Sequence, residues 1–317
     1  MIEVSDLRKS YRVRLGRKTF DVDAVRGATF NVQKGEVLGL LGANGAGKTT
    51  TIRMLTTLIR PDGGSAVVAD ADLATEAAVV RQRIGYVSQG GCTQDNSTAR
   101  EELILQARMF GISKAEARER ATRALETFHL TDYADRRCKT YSGGQRRRVD
   151  IAMGLINEPK VLFLDEPTAG LDPAGRIDIQ NEVKRLRAEG MTVLITTHYL
   201  EEADALCDRV AIVEQGRVVA EGTPDELKNE VAGDVVTLGL NGSTPAAEKI
   251  MTGAAYVTKL ETTDDGLRLF VESGNRVLPT ILHDLDDAGI VPDTIEVHRP
   301  SLDDVFLAKA GRSLTAA

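Results

Sequence analysis

The stretch "EVLGLLGANGAGKTTTIRML", residues 36 to 55, decides how the rest of the chain is read. After Glu36 the run "VLGLL" is almost wholly apolar, as in a strand buried on both faces. The segment that follows fits G-x-x-x-x-G-K-[ST] at Gly42, Gly47, Lys48 and Thr49. Glycines there let backbone N–H groups converge on phosphate oxygens, Lys48 reaches the β and γ phosphates, and Thr49 offers a hydroxyl to Mg²⁺. With the helix-like "KTTTIRMLTTLI" behind it, the segment predicts a strand, a phosphate loop and a helix that bind a nucleoside triphosphate. What the energy is for must come from elsewhere in the chain.

Two more buried-strand patterns follow. "VLFLDEP" (161–167) ends in Asp165 and Glu166, where a carboxylate at the C-terminal end of a strand faces the metal and phosphates of a neighbouring loop. Asp165 suits the metal side through water, and Glu166 suits a general base acting on the attacking water. "MTVLITTH" (191–198) ends in His198, placed either to sense a γ-phosphate or to serve a structural role. A second glycine loop stands in "KTYSGGQRRRVDIA" (139–152). Ser142 with the Gly143 and Gly144 amides at a helix start makes an anion site, or Ser142 is a plain N-cap. Val149, Ile151, Ala152 and Leu155 are expected to turn inward, and Arg146 to Arg148 to form a solvated face.

Length and composition set the frame. A chain of 317 residues corresponds to about two domains. The net charge of −7 argues against a nucleic-acid binder with a broad basic face. Cys92, Cys138 and Cys207 form no CxxC pair and read as reduced thiols. No signal peptide and no membrane-spanning run is expected. The first ~35 residues alternate as an antiparallel sheet does, and 98–128 reads as a helical insert broken by one glycine. Near Gly233 the texture changes to a βαββαβ order with an extra helix, including a hairpin about Asp265 and Gly266.

Five motifs, in order, resemble those of ABC transporter ATP-binding subunits: the loop at 42–49, "IGYVSQ" (84–89), "YSGGQ" (141–145), "VLFLDEP" with "AGLD" (169–172), and His198. The resemblance covers residues 1 to about 232. It implies an α/β fold: a P-loop NTPase core of the RecA-like kind, with an antiparallel β subdomain and a helical subdomain at about 90–158. A small α+β ferredoxin-like domain, 233–317, follows. It further implies that ATP and Mg²⁺ are bound by Gly42, Asn44, Gly45, Ala46, Gly47, Lys48, Thr49, Thr50, Asp165 and Gln89, with Gln89 also linking the site to a membrane partner. Catalysis would fall to Glu166, His198, Gln89 and Lys48. Ser142, Gly143, Gly144 and Gln145 would bind the γ-phosphate of ATP held by a second copy, and Asp172 would lie in the loop crossing that interface. The adenine is expected on Tyr11, with Phe20 as competitor because "RVRLGRKTFDVDAV" makes a long hairpin.

Within the family, "RRRVDIAMGLI", "GLDPAGR" and "HRPSLDDVFLAKAGR" resemble ATPase subunits of the daunorubicin/doxorubicin resistance type of exporter. That implies a homodimer at the cytoplasmic face of the membrane, powering drug efflux through a separate permease, with no nucleic acid involved. Export of polysaccharide or lipid precursors, an importer, and a soluble non-transport ATPase are the alternatives. The single P-loop and the lack of sustained heptads disfavour the last, and no Asn-Lys-x-Asp motif supports a GTPase.

Overall fold

The computed structural model describes residues 1–15, 18–231, 233–240, 244–263, 265–298 and 301–310. The chain divides into two compact units, Met1–Thr223 and Pro224–Ala317.

The first unit opens with a long antiparallel ribbon, β1 (Ile2–Leu15) against β2 (Lys18–Val32), paired from Ile2 opposite Val32 to Leu15 opposite Lys18 with register shifts between Val4 and Ser10. Then come β3 (Val37–Leu41), α1 (Lys48–Leu55), β4 (Gly63–Val68), β5 (Ala71–Asp72), α2 (Ala77–Arg83) and β6 (Ile84–Val87). Helices α3 (Ala99–Met109), α4 (Lys114–Thr127) and α5 (Gly143–Leu155) form the helical part. The unit closes with β7 (Val161–Asp165), α6 (Pro173–Ala188), β8 (Thr192–Thr197), α7 (Leu200–Leu206), β9 (Arg209–Glu214) and β10 (Arg217–Gly222).

Burial explains the central sheet. Every residue of β3, β7 and β8 is buried, so these strands take interior positions with helices beyond both faces. The order is β10-β9-β3-β8-β7-β6, parallel throughout except for β10 on β9. A second sheet, β2-β1-β4-β5, is antiparallel. One core joins residues of both sheets and α1, including Ile2, Phe30, Leu40, Ile52 and Phe163.

Local capping sets the helix starts. Thr98 and Glu101 form a reciprocal capping box on α3, Ser113 caps α4, and Ser142 and Gln145 form a second box on α5. Gly111, at φ +81°, breaks α3 from α4. Val149, Ile151 and Ala152 are buried as expected, and Leu155 is half-buried. The solvated arginine face is overturned: Arg147 is buried, and Arg146 and Arg148 are partly covered and bonded. The cause is that α5 packs between β6 and the neighbouring helices and leaves no free face for the run.

The second unit contains α8 (Pro224–Val231), β11 (Asp234–Gly239), α9 (Thr244–Thr252), β12 (Val257–Thr263), β13 (Gly266–Val271), α10 (Gly274–Asp286), β14 (Thr294–His298) and α11 (Leu302–Ala310). Its antiparallel sheet runs β12-β13-β11-β14, the ferredoxin-like order, over a core that includes Val236, Leu269 and Ile281. Helix α8 packs on α11, which groups it with this unit and puts the division ahead of Gly233.

Helix α5 approaches β6 closely because both carry glycine at the crossing. A Cβ on Gly85 would stand 2.0 Å from the Gly154 carbonyl, whereas one on Gly154 would meet side-chain atoms at 3.0 and 3.3 Å and backbone, the Tyr86 nitrogen, only at 3.9 Å. Gly85→Ala should therefore destabilise the first unit by about 1–3 kcal/mol and Gly154→Ala by less, as read from urea unfolding midpoints.

Candidate active site

The parallel strands all end on one edge of the sheet, and four of those ends carry the polar residues of the site. Strand β3 runs into the 42–49 loop, β7 into Asp165 and Glu166, β8 into Thr197 and His198, and β6 into Ser88 and Gln89. Backbone space, not side chains, shapes the loop. Gly47 sits at φ +106°, and a Cβ there would fall 2.4 Å from the Ala24 carbonyl. A Cβ on Gly45 would meet nothing within 4 Å, so the loop is open on that side. Asn44 and Gly45 are exposed, Gly42 and Ala46 are buried, and Gly47, Thr49 and Thr50 are half-buried.

Lys48 is only 4 % exposed and donates to the Gly42 and Ala43 carbonyls at 2.7 and 3.2 Å. Burial draws its pKa below the ordinary lysine value, while Glu166, with Oε1 at 3.5 Å, works in the opposite direction. Asp165 Oδ1 accepts from Thr49 Oγ1 at 3.0 Å and from Thr196 Oγ1 at 2.6 Å. The Glu166 amide donates to the carbonyl and to the hydroxyl of Thr196, at 3.1 and 3.0 Å. Gln89 Nε2 donates to Glu166 Oε2 at 3.0 Å, and His198 Nδ1 approaches that oxygen to 3.2 Å without hydrogen-bond alignment.

Glu166 holds φ +45°, a left-handed backbone that costs a residue other than glycine roughly 1–3 kcal/mol and clusters at functional sites. The arrangement presents a buried carboxylate to a point shared by an amide, an imidazole and an ammonium. Such a group is placed to take a proton from a water at the mouth of the 42–49 loop.

Lys48, Thr49, Gln89, Asp165, Glu166 and His198 are thus brought together by direct contacts. Ser142 to Gln145 stand with another turn. Gly143 lies against Leu171 and Gly144 against Gly175, and Asp172 caps α6 by accepting from the Gly175 amide at 2.9 Å. Ser142 accepts from the Gln145 amide at 3.2 Å, and Gln145 Oε1 from the Ser142 amide at 3.0 Å. Tyr11 is half-buried opposite Val22, with the Lys9 ammonium 5.9 Å from its ring centre; Phe20, opposite Val13, is 49 % exposed. Both rings stand on the β1–β2 ribbon.

Two residues of the site carry no distinct signal in the sequence. Thr196 serves the Asp165 carboxylate and the Glu166 amide, yet in the sequence it is one of three threonines of β8. Arg147 reaches the same region from α5 and was hidden inside a charge run.

Comparison with known proteins follows this division. Residues 25–169 match the family model described as ABC transporter, and residues 222–310 match that of an ATP-binding protein DrrA1-3-like C-terminal domain. The daunorubicin resistance ATP-binding protein DrrA3 of Streptomyces coeruleorubidus is 44 % identical, over 92 % of this chain and 92 % of its own length. The daunorubicin/doxorubicin resistance ATP-binding protein DrrA of Streptomyces peucetius is 42 % identical, over 98 % and 92 %. Among solved structures, a dimeric post-hydrolysis state of the ATP-binding cassette MJ0796 bound to ADP and phosphate superposes with a TM-score of 0.62. It is 27 % identical and covers 70 % of this chain and 98 % of its own.

Thr196→Val removes a buried hydroxyl that serves Asp165 and the Glu166 amide. It should cost about 1–3 kcal/mol in chemical denaturation, with Thr196→Ser closer to the parent protein.

Proposed function

The chain belongs to the family of ABC transporter ATP-binding subunits, and we propose that this ATPase drives export of a hydrophobic drug-like or lipid-like compound through a separately encoded permease. The observation that carries the export reading is the reach of the similarity. It runs through the first unit and on into residues 222–310, where the matching family model is that of a DrrA-like C-terminal domain.

In the proposed reaction the 42–49 loop cradles the phosphates of ATP with its amides. Lys48 exchanges the Gly42 and Ala43 carbonyls for phosphate oxygens. Glu166 takes the proton of the attacking water, which Gln89 and His198 orient. Tyr11 stacks on the adenine, with Phe20 as the alternative ring.

The donor set suits Mg²⁺, which favours hard oxygens and takes few protein ligands beside phosphate and water. Thr49 Oγ1 and Asp165 Oδ1 stand 3.0 Å apart, and the cation would be held by Thr49 and Gln89, with Asp165 through water. Among the described residues no group of three or more His, Cys, Asp or Glu could hold a metal. When bound, Mg²⁺ offsets the charge developing on the phosphates.

The site would be completed by a second copy. The capping box on α5 engages the Gln145 amide, and the Gly143 and Gly144 amides are donors that a helix start leaves for an anion. We propose that this turn binds the γ-phosphate of ATP held by the other copy, with Asp172 at the interface; two chains then clamp two nucleotides. Among the described residues no helix is long and apolar enough to cross a membrane. A groove between β6 and the helical part, lined by Leu58, Tyr86, Met109 and Phe110, is the proposed seat of the permease at the cytoplasmic face. Leu58 and Met109 are exposed there at 58 % and 75 %, as an unfilled docking surface would be.

Glu166→Gln should bind ATP, hydrolyse it poorly and accumulate an ATP-dependent dimer by size-exclusion chromatography; near-normal turnover would refute the base role. Ser142→Arg should leave ATP binding by the monomer intact while abolishing dimer formation and turnover. Loss of monomer binding would show instead that Ser142 acts within its own chain.

A further inference from the structure

Of the arginines that follow the Ser142–Gln145 turn, only the middle one enters the protein interior. Arg147 is 5 % exposed, and its guanidinium spends its donors on backbone. Nε donates to the Pro167 carbonyl at 2.8 Å, Nη1 to the Ser88 carbonyl at 2.6 Å, and Nη2 to the Asp165 carbonyl at 3.1 Å. Two of those carbonyls flank Glu166, and the third belongs to the residue before Gln89.

One turn along α5, the buried Asp150 grips the other end of the same loop. Its Oδ1 accepts from the Cys92 and Thr93 amides at 2.9 and 3.1 Å. Gly91, at φ +72°, passes so close that a Cβ would lie 2.7 Å from Asp150 Oδ2. The segment 88–93 is therefore held at both ends by one face of α5. Glu166 in turn is kept in its left-handed backbone by the Thr196 bonds on one side and by Arg147 on the other.

From this geometry we infer that Arg147 is a positioning residue for ATP hydrolysis: it fixes the backbone on both sides of Glu166 and next to Gln89, and so sets how carboxylate and amide meet the water. The inference rests on the assignment of Glu166 as base. A planar fork of donors suits carbonyls that diverge in this way, and no other cation reproduces it. Because Arg147 rides on the helix that begins at Ser142, a shift of that helix start moves Glu166 and Gln89 of the same chain. Binding of the turn to a partner's nucleotide is thereby linked to the chemistry of its own.

The test uses the purified full chain with Arg147→Lys and Arg147→Gln. Lysine keeps the charge but cannot span the three carbonyls. Both variants should lose about 10- to 100-fold in kcat, the scale of an ångström misplacement, with KM for ATP within about twofold and with Arg147→Lys still folded at the assay temperature despite the bonds lost. Amide hydrogen exchange should quicken at 88–93 and 165–168 and not elsewhere, a readout that stands for Arg147→Lys even if Arg147→Gln folds poorly. Parental kcat would overturn the proposal. So would a kcat loss that only tracks lost ATP affinity, or exchange raised throughout the first unit, because either marks a residue of general stability.

Adding Arg147→Lys to Glu166→Gln separates the two assignments. The pair should be no more than about twofold slower than Glu166→Gln alone, since both act on one step; a full second loss overturns the route through Glu166. If Glu166→Gln by itself turns over like the parent, it is the base assignment that has failed.

Discussion

Two adjacent carboxylates at the end of a strand with no water on either face impose a demand that the surrounding structure meets atom by atom. Asp165 and Glu166 are 1 % and 7 % exposed. A buried ionised carboxylate is tolerable only when hydrogen-bonded and paired with positive charge. Thr49 and Thr196 supply hydroxyls to the first; Gln89, Lys48 and the approach of His198 serve the second. Because the partners come from three different strand ends, those of β3, β6 and β8, the demand is met only when the parallel sheet is in register, Asp165 opposite Thr196 and Leu41 opposite Thr197. The site and the sheet are in this sense one construction.

The same demand gives the site its sensitivity. Lys48 is held by the carbonyls of its own loop, so an entering phosphate competes for donors already engaged and does not meet a free charge. Helix α5 lies across the boundary between this cluster and the turn at Ser142, with polar side chains facing the site and a glycine at each crossing. Motion of that helix is then not free of the catalytic backbone. In the proposed two-copy arrangement, such a tie links engagement of the partner to hydrolysis.

How much of this could be read beforehand varied with how local each feature is. The 42–49 loop was legible because its glycines answer to backbone conformation and close approach, which act within a few residues. The acidic strand end and the βαββαβ order of the second unit were legible because burial on both faces and alternation leave distinct patterns. Arg147 was misread as solvated. Its position on the stripe of Gly144, Ile151 and Gly154, spaced as one helix face, was the available signal, but a run of arginines does not say which member turns inward. Thr196 escaped for a related reason, since threonine is common in strands for its branched Cβ alone.

What the sequence determined by itself was the set of strand ends, the phosphate loop and the presence of a second pattern after the first, because each follows from periodicity or backbone freedom over a short span; where the second unit begins was set by the packing of α8 on α11. Only the tertiary structure decided which of these meet. It put Gln89, His198 and Lys48 on one carboxylate, set Ser142 to Gln145 beside the 171–175 turn, and drove Arg147 between two loops that are 59 and 20 residues away in the chain. The physical reason is that burial and hydrogen-bond satisfaction are settled by neighbours in space. A charge that looks solvated along the chain becomes structural once packing brings unpaired carbonyls within its reach.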